Sequence, residues 1–305
     1  MSKVYDILIV GGGPAGYTAA LYGARSGFST AVLEKLSPGG QMATTSDVEN
    51  YPGFPGVIDG FELGERMQEG AEKAGAETVF AEVTKLDLLA DPKVVETSEG
   101  TFLGRTVILA TGAHPRKLGI PQEEALVNRG VAYCATCDGN FYKDKVVVVN
   151  GGGNTAVGDA LYLAKLASKV YLVHRRDTLR ATPIYLQRLK DAGVEIIWNS
   201  VVSGLQADKK LTGVELTDVK TGEKRVLPAD GLFVAIGQLP ESSLAAGQVA
   251  TDKAGYILAG EDTKTSVPGV FAVGDVRTKA VRQIVTAAAD GAVAVHFAEE
   301  YLNEK

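Results

Sequence analysis

The only two cysteines of this 305-residue chain, Cys134 and Cys137, are separated by two residues in the stretch VAYCATCDGNFY. A Cys-x-x-Cys pair can hold a metal, staple the backbone, or act as a dithiol–disulfide couple in which a thiolate is the reactive species. Asp138 follows directly, although an Asp-Gly step is also an ordinary turn signal. This stretch by itself leaves the three kinds of site open.

The supply of ligands weighs against a metal site. A structural zinc ion is normally held by four Cys or His side chains. The chain has three histidines, His114, His174 and His296, and none lies near the cysteine pair in the sequence. Zinc would therefore require distant side chains to converge, and a redox pair needs no such convergence.

Length, charge and composition narrow the class of protein. At about 150 residues per domain, 305 residues predict two domains. A net charge of −6 does not provide the basic field of a nucleic-acid-binding protein. There is no apolar run of about 20 residues to predict a membrane span. The segment MSKVYDILIV leads into a strand-like run without a cleavage site. We therefore expect a cytoplasmic protein, a setting in which structural disulfides are rare.

The first nucleotide-binding pattern follows the strand-like run YDILIV and opens the helix-like segment PAGYTAALYGARSG. A G-x-G-x-x-G motif in this context places a pyrophosphate on a helix N-terminus, where free N–H groups favour anions. The next strand, TAVLE, ends on an acid that suits a ribose 2′-hydroxyl and repels a 2′-phosphate. The predicted cofactor-binding residues of this unit are Gly11, Gly13, Pro14, Ala15, Gly16 and Glu34.

A second copy of the pattern begins at KVVVVN and GGGNTA, with Ala156 in the third glycine position. Glu34 lies 23 residues after Gly11, and His174 lies 23 residues after Gly151, so a histidine stands where the first copy has its acid. The segment HRRDTLR that begins there supplies guanidinium groups, which match phosphate geometry. A solvated basic patch is the plainer alternative. However, these arginines stand where the first copy has its ribose-binding acid, and this position favours binding of the 2′-phosphate of NADPH. The predicted NADPH-binding residues are Gly151, Gly153, His174, Arg175, Arg176 and Arg180.

Both copies close with an apolar strand and a glycine turn, at Gly112 and at Gly237, which indicates an internal duplication. The tail adds a strand ending at Gly274 and Asp275, and then a helix-like pattern over residues 277–302. A lone strand and helix make a poor domain, so we expect them to complete the first unit. The predicted fold class is α/β, with two nested Rossmann-like FAD/NAD(P)-binding domains, the second inserted into the first. The expected domains are residues 1–115 with 244–305 for FAD, and 116–243 for NADPH.

Two dinucleotide sites of different specificity and one cysteine pair predict an electron relay, because a flavin accepts electrons from NADPH and passes them to a disulfide. Motifs in one order along nearly the whole chain support it: GGGPAG, Glu34, GGQM, ENYPGFP, ATGA, CATCDG, GGGNTA, HRRD, AIG and GVFAVGDV followed by RQ. This ordered set resembles the bacterial-type, low-molecular-weight thioredoxin reductases. The resemblance implies a homodimeric flavoprotein that passes electrons from NADPH to FAD, to a Cys134–Cys137 disulfide and then to thioredoxin.

The resemblance also implies roles for single residues. Asp138 is the expected proton donor, Asp275 the expected ligand of the ribityl chain, and Gln283 the residue expected beside the flavin ring. Asn154 and Thr155 join the expected NADPH contacts. The further FAD contacts that it implies are Gly40, Gln41, Asn50, Val83, Thr111, Gly112, Gly274, Asp275, Arg282, Gln283 and Ile284.

Because the cysteine pair shares a domain with the NADPH site, while FAD belongs to the other domain, we expect the inserted domain to rotate between two states. The hinges are expected near Ala113–Leu118 and Pro240–Ala246. Other functions on the same scaffold remain open: reduction of a dedicated thioredoxin-like partner, or a dithiol oxidase that uses oxygen. A non-catalytic redox sensor or a zinc-holding flavoprotein is the alternative from another class.

Overall fold

The computed structural model describes residues 3–45, 47–181 and 184–304. The chain divides into two compact units, Met1–His114 with Leu239–Lys305, and Pro115–Gln238. The second change of unit comes earlier than the expected boundary after residue 243. The physical reason is that Glu241 already bonds to the first unit: its N–H donates to the Gly112 carbonyl, and its own carbonyl accepts from the Thr111 hydroxyl.

The α-helices are separated along the chain by single strands or by longer runs of strands. The strands are β1 (Val4–Val10), β2 (Thr30–Glu34), β3 (Glu77–Phe80), β4 (Val83–Asp87), β5 (Lys93–Thr97), β6 (Gly100–Leu109), β7 (Ala113–Pro115), β8 (Val131–Ala132), β9 (Val146–Gly151), β10 (Lys169–Val173), β11 (Glu195–Ile197), β12 (Ser200–Ala207), β13 (Leu211–Asp218), β14 (Lys224–Pro228), β15 (Gly231–Ala235), β16 (Gln238–Pro240) and β17 (Val270–Ala272). The helices are α1 (Pro14–Arg25), α2 (Gly60–Lys73), α3 (Ala135–Asp138), α4 (Asn154–Leu163), α5 (Ile184–Asp191) and α6 (Ile284–Asn303).

The sheet of the first unit has the order β3-β2-β1-β6-β5-β4, with β17 also paired to β6. Strands β3, β2, β1, β6 and β17 pair in parallel, and β5 and β4 extend the sheet antiparallel. The centre of β1 is apolar on both faces, since Ile7, Leu8 and Ile9 are all fully buried. This is typical of a parallel strand covered on both sides.

The sheet of the second unit is parallel throughout and has the order β11-β10-β9-β15-β8. A three-stranded antiparallel sheet, β12-β13-β14, belongs to the same unit. The order β11-β10-β9 repeats β3-β2-β1, and in each copy a glycine turn follows the third strand of the series. Two Rossmann-type sheets in one chain confirm the predicted α/β class.

The last helix is shorter than its sequence pattern predicts. We expect a helix from Arg277, but α6 begins at Ile284. Gln283 is extended, with φ −147° and ψ 160°, and forms a reciprocal capping box with Thr286. Capping at this point fixes the start of the helix, because the exposed N–H groups of the first turn find side-chain partners. Within the described part of the chain, no helix combines the length and the apolar character needed to cross a bilayer.

Candidate active site

Cys134 and Cys137 form a disulfide with a Cα–Cα distance of 5.3 Å. Strand β8 leads directly to this pair, and the short helix α3 carries Cys137 and Asp138. Both cysteines are half-buried, so part of each residue is exposed to solvent. A partly exposed disulfide suits a redox couple, because thiol–disulfide exchange requires access.

Asp138 is held next to the disulfide by its backbone, since its N–H donates to the Cys134 carbonyl at 3.1 Å. Its carboxyl is largely desolvated, and this burial raises its pKa to about 6. A carboxyl with such a pKa is protonated in part near neutral pH and can donate a proton.

The disulfide lies at the same sheet edge as the second glycine turn. Strand β8 pairs with β15 in parallel, and β15 pairs with β9 so that Ala235 faces Gly151. Parallel strands place their carboxyl ends at one edge, where α/β proteins bind ligands. The ends of β8 and β9 are two strand spacings apart, about 10 Å.

The glycines of this second turn serve different purposes. A Cβ on Gly151 would collide with the Ala235 carbonyl, and a Cβ on Gly152 would collide with the His174 ring. A Cβ on Gly153 would meet nothing within 4 Å. Packing therefore requires the first two glycines, whereas the third leaves open space at the N-terminus of α4. Open space beside exposed Asn154 fits a bound pyrophosphate.

His174 and the arginines that follow it have different surroundings. The His174 ring is buried, and its Nε2 lies 3.0 Å from the Thr178 carbonyl. Burial is the main cause that lowers its pKa. The ring lies against Gly152, where an added Cβ would collide with it.

Three arginines follow His174 in the loop that returns to the same turn. Arg175, Arg176 and Arg180 are exposed, and the Arg180 N–H donates to the Gly152 carbonyl at 2.8 Å, which brings this loop back to the turn. Among the described residues, no carboxylate forms an ion pair with these three guanidinium groups. They can therefore bind an added phosphate without breaking an existing pair.

The glycine turn of the first unit has the same design. Gly11 has φ +106°, and a Cβ on it would collide with the Ala110 carbonyl. A Cβ on Gly16 would collide with the Gly11 carbonyl, whereas Gly13 faces open space. The carboxylate of Glu34 accepts the Gly12 N–H at 2.6 Å, which fixes it at the mouth of the turn.

Two further segments meet this turn. A Cβ on Gly40 would lie 3.5 Å from the Gly13 Cα, and a Cβ on Gly274 would lie 3.1 Å from the Ala15 Cβ. The tail thus returns to the first glycine turn, as the tail's sequence pattern predicts.

Asp275 provides the clearest indication of a missing partner. Its Oδ1 is buried and has no hydrogen-bond partner among the described residues. Buried polar atoms in proteins are nearly always satisfied, and an exception calls for an explanation such as a ligand. Burial raises the pKa of Asp275, against the opposing charges of Lys279 and Arg282. A hydroxyl of a bound polyol chain would satisfy this acceptor, so the site fits the FAD that the sequence predicts.

Residues far apart in the sequence complete this site. The Asn50 side-chain amide donates to the Gln283 Oε1 at 3.0 Å across 233 positions. Arg282 stacks on the Tyr256 ring at 4.1 Å and donates to the Asp275 carbonyl at 3.4 Å. Tyr256 belongs to none of the sequence motifs, so the sequence did not predict its contact with Arg282.

The remaining predicted FAD residues occupy the borders of the site. Ile284 is the first residue of α6 and packs against the cluster that contains Met42, the neighbour of the exposed Gln41. Val83 begins β4, two residues after Ala81, whose N–H donates to the Glu34 carbonyl at 2.8 Å. The Thr111 hydroxyl is already engaged by the Glu241 carbonyl, and Gly112 beside it has φ +74° and open space where a Cβ would stand.

Sequence reasoning missed a buried ion cluster that supports Asp275. Asp290 accepts two hydrogen bonds from Arg277, at 2.8 and 2.7 Å, and one from Lys279 at 2.8 Å. It also accepts the Gly274 N–H at 2.8 Å. One carboxylate therefore fixes the backbone directly before Asp275. The available signal was a single acid inside the small and apolar run AAADGAVAV of α6.

The described ranges 3–45, 47–181 and 184–304 contain no group of three or more His, Cys, Asp or Glu side chains placed to hold a metal ion.

Known proteins match this chain over nearly its full length. Residues 5–291 match the family described as pyridine nucleotide-disulphide oxidoreductase. A thioredoxin reductase of Listeria monocytogenes is 44% identical over 99% of this chain and 95% of its own length. One of Streptomyces clavuligerus is 46% identical over 99% and 95%. The crystal structure of thioredoxin reductase from Streptococcus pyogenes superposes with a TM-score of 0.92 and 44% identity, with both chains covered completely.

These matches confirm the resemblance that the ordered motifs indicate. Together with the two glycine turns and the partly exposed disulfide, they show that the chain belongs to the pyridine nucleotide-disulphide oxidoreductase family.

Proposed function

We propose that the chain is an NADPH-dependent flavoprotein that reduces the disulfide of thioredoxin by way of its own Cys134–Cys137 disulfide. The observation that carries this proposal is the position of the partly exposed disulfide, at the carboxyl edge of a sheet whose neighbouring glycine turn is built for a dinucleotide. The relatives named above are themselves thioredoxin reductases, which supports the same substrate.

In this proposal the first unit holds FAD. Glu34 binds the ribose, the N–H groups after Gly13 bind the pyrophosphate, and Asp275 accepts a hydroxyl of the ribityl chain. Asn50, joined to Gln283, borders the same site. When bound, FAD supplies two-electron chemistry between a nicotinamide and a disulfide.

The second unit holds NADPH. Arg175, Arg176 and Arg180 bind the 2′-phosphate, and the turn at Gly153 receives the pyrophosphate. In the first unit, Glu34 stands at the corresponding position and repels a 2′-phosphate, so the two sites differ by charge.

The cysteine pair then reduces the disulfide of the protein substrate. Once reduced, one thiolate attacks the disulfide of thioredoxin and forms a mixed disulfide, and the second thiolate displaces the reduced thioredoxin and restores the Cys134–Cys137 bond. Asp138, with its pKa raised to about 6, holds the proton that the departing thiolate needs.

Three finer points belong to the same proposal. The second unit rotates about the connecting segments near Ala113–Leu118 and Pro240–Ala246, because NADPH and the disulfide share one unit. The paired strands β7 and β16 contain the residues at which the chain passes from one unit to the other. The active form is a homodimer and is located in the cytoplasm, as the resemblance implies. A verified crosslink between the units should abolish turnover, and light scattering should give the dimer mass.

The deciding experiment measures NADPH oxidation by the purified holoprotein with a dithiol-reporting dye, with and without thioredoxin. Dye reduction that requires thioredoxin supports the proposal. Cys134→Ser and Cys137→Ser should each abolish it, while NADPH-driven reduction of ferricyanide, which bypasses the disulfide, should continue. Thioredoxin reduction retained in either variant would refute the relay. Oxygen consumption with small dithiols in the absence of NADPH would indicate a dithiol oxidase instead.

A further inference from the structure

Glu123 of the second unit is a buried carboxylate that the proposed mechanism does not use. It is 2% exposed, and charged side chains are rarely buried so fully without strong partners. Its Oε1 accepts the Leu118 N–H and the Tyr133 hydroxyl, both at 2.9 Å, and its Oε2 accepts the Gly119 N–H at 2.8 Å. Three donors from two separate segments therefore converge on one side chain.

The two segments matter for the redox site. Leu118 and Gly119 follow the connection that leads into the second unit at Pro115. Tyr133 stands between strand β8 and Cys134, so that it is the last residue before the disulfide. Glu123 thus joins the connecting segment to the backbone that enters the disulfide ring.

Tyr133 is suited to this link. Its ring packs against the apolar cluster that contains Leu126 and Val131. Burial, and then the hydrogen bond to Glu123, raises the pKa of Tyr133, so the hydroxyl stays protonated and always donates. Charge-assisted hydrogen bonds of this kind are shorter and stronger than neutral ones.

The two cysteines are held in different ways. Cys137 lies within α3, where the Asp138 N–H bonds back to the Cys134 carbonyl. Cys134 precedes that helix, and on its other side the chain is anchored by the short strand β8 and by Tyr133. Loss of the Tyr133 anchor would release the Cys134 side of the ring but leave the helical side intact.

We propose that Glu123 and Tyr133 are positioning residues that hold Cys134 in the geometry for ring closure and so stabilise the Cys134–Cys137 disulfide over the dithiol. Holding two reacting groups together raises their effective concentration, which shifts a thiol–disulfide equilibrium towards the ring. Reduction breaks the S–S bond and adds two electrons and two protons. Dithiothreitol supplies them and is oxidised to its cyclic disulfide.

The proposal rests on the redox role of the pair, but its test does not require thioredoxin. Holoprotein is equilibrated in buffers of reduced and oxidised dithiothreitol, alkylated, and analysed by mass spectrometry for the fraction of disulfide. For Tyr133→Phe and Glu123→Gln we expect the equilibrium constant for disulfide formation to fall about fivefold, which makes the midpoint potential about 20 mV less negative, since tenfold corresponds to 29.6 mV.

Two matched variants serve as controls. Tyr171→Phe removes a hydroxyl from a tyrosine that packs against the same apolar cluster. Glu124→Gln neutralises the next residue, whose side chain is 75% exposed. Both should keep the potential of the original protein. NADPH–ferricyanide turnover should be unchanged in all four variants, whereas kcat with a disulfide substrate should change in Tyr133→Phe and Glu123→Gln.

Tyr133→Phe carries the test if Glu123→Gln does not fold, because it removes one oxygen atom and keeps the packed ring. An unchanged potential in Tyr133→Phe, at an unchanged unfolding temperature, would overturn the proposal, and so would an equal shift in Tyr171→Phe. If the original protein fails to reduce thioredoxin, the proposed function fails, while the comparison of potentials still decides the role of Glu123 and Tyr133.

Discussion

Replacing Asp290 by alanine should destabilise the first unit more than replacing any exposed charged residue by alanine. Asp290 is 7% exposed, and its partner Arg277 is 5% exposed. The side chain of its second partner, Lys279, is 7% exposed. Asp290→Ala would remove the carboxylate that pairs with both buried cations. Removing one partner of a buried pair costs about 3–5 kcal/mol, and we expect a value in the upper half of this range because two cations lose their partner.

The same change should weaken FAD binding. Asp290 also accepts the Gly274 N–H, which fixes the turn before Asp275. In the variant the Gly274 N–H would lose this acceptor. An unsatisfied buried donor costs about 1–3 kcal/mol, so we expect the turn to change its conformation. We therefore expect the FAD dissociation constant of Asp290→Ala to rise at least tenfold.

The pH dependence gives a second check on Asp290. Burial raises its pKa, but the hydrogen bonds from Arg277 and Lys279 outweigh burial, so the pKa lies below its ordinary value. A carboxyl with a lowered pKa contributes its full stabilisation above the unfolded pKa, about 3.9, and loses it as pH falls through the lower folded pKa. The difference in unfolding free energy between the original protein and Asp290→Ala should be constant from pH 7 to pH 5 and shrink below about pH 4.

The assay is urea unfolding of the apoprotein, followed by fluorescence titration with FAD. Glu300→Ala on the same helix is the matched control, because Glu300 forms an exposed ion pair with Lys264 at 3.7 Å. Such a pair contributes up to about 1 kcal/mol. The reasoning fails if Asp290→Ala costs no more than Glu300→Ala, or if its cost does not vary with pH.

Three further predictions concern the second site, the proton and helix packing. Arg175→Ala with Arg176→Ala should raise KM for NADPH at least tenfold, since each charge-assisted hydrogen bond contributes about 1.5–3 kcal/mol, and should change KM for NADH less than threefold. Equal losses for both nucleotides would contradict the 2′-phosphate assignment. Asp138 is protonated below its pKa of about 6, so the rate of thioredoxin reduction should decline as pH rises through 6, and Asp138→Asn should remove that inflection. An inflection that survives in the variant, measured against an unchanged ferricyanide reaction, would exclude Asp138 as its source. Gly291→Ala would drive a Cβ into the Ala15 carbonyl and should cost about 1–3 kcal/mol in urea unfolding, whereas Gly70→Ala, in open space on α2, should stabilise by up to about 1 kcal/mol. Equal effects of the two changes would disprove the packing argument.

Local patterns predicted the parts of the sites that depend on nearby backbone. Gly11 and Gly16 are glycines because neighbouring carbonyls leave no room for a Cβ, and a motif of fixed spacing reports such a constraint directly. The position of Glu34 and its counterpart His174 also follows from the length of one helix and one strand. The sequence did not reveal that the His174 ring lies against Gly152.

Long-range contacts were beyond prediction for a physical reason. The hydrogen bond between Asn50 and Gln283 joins residues 233 positions apart. The local sequence around either residue gives no indication of the other. The start of α6 was predicted at Arg277, because small and apolar residues continue the helical period there. In the structure Arg277 is tied to Asp290 and Gln283 caps the helix, so tertiary contacts override the local preference.

The sequence by itself determined the two dinucleotide-binding units, their opposite charge at the ribose position and the presence of a Cys-x-x-Cys pair, because each is encoded within a few consecutive residues. Only the tertiary structure decided which side chains support them. Asp290 beneath the turn at Gly274 and Glu123 behind Tyr133 are buried carboxylates whose donors come from other segments. Burial without those donors would be too costly, and a folded chain alone can bring the donors together.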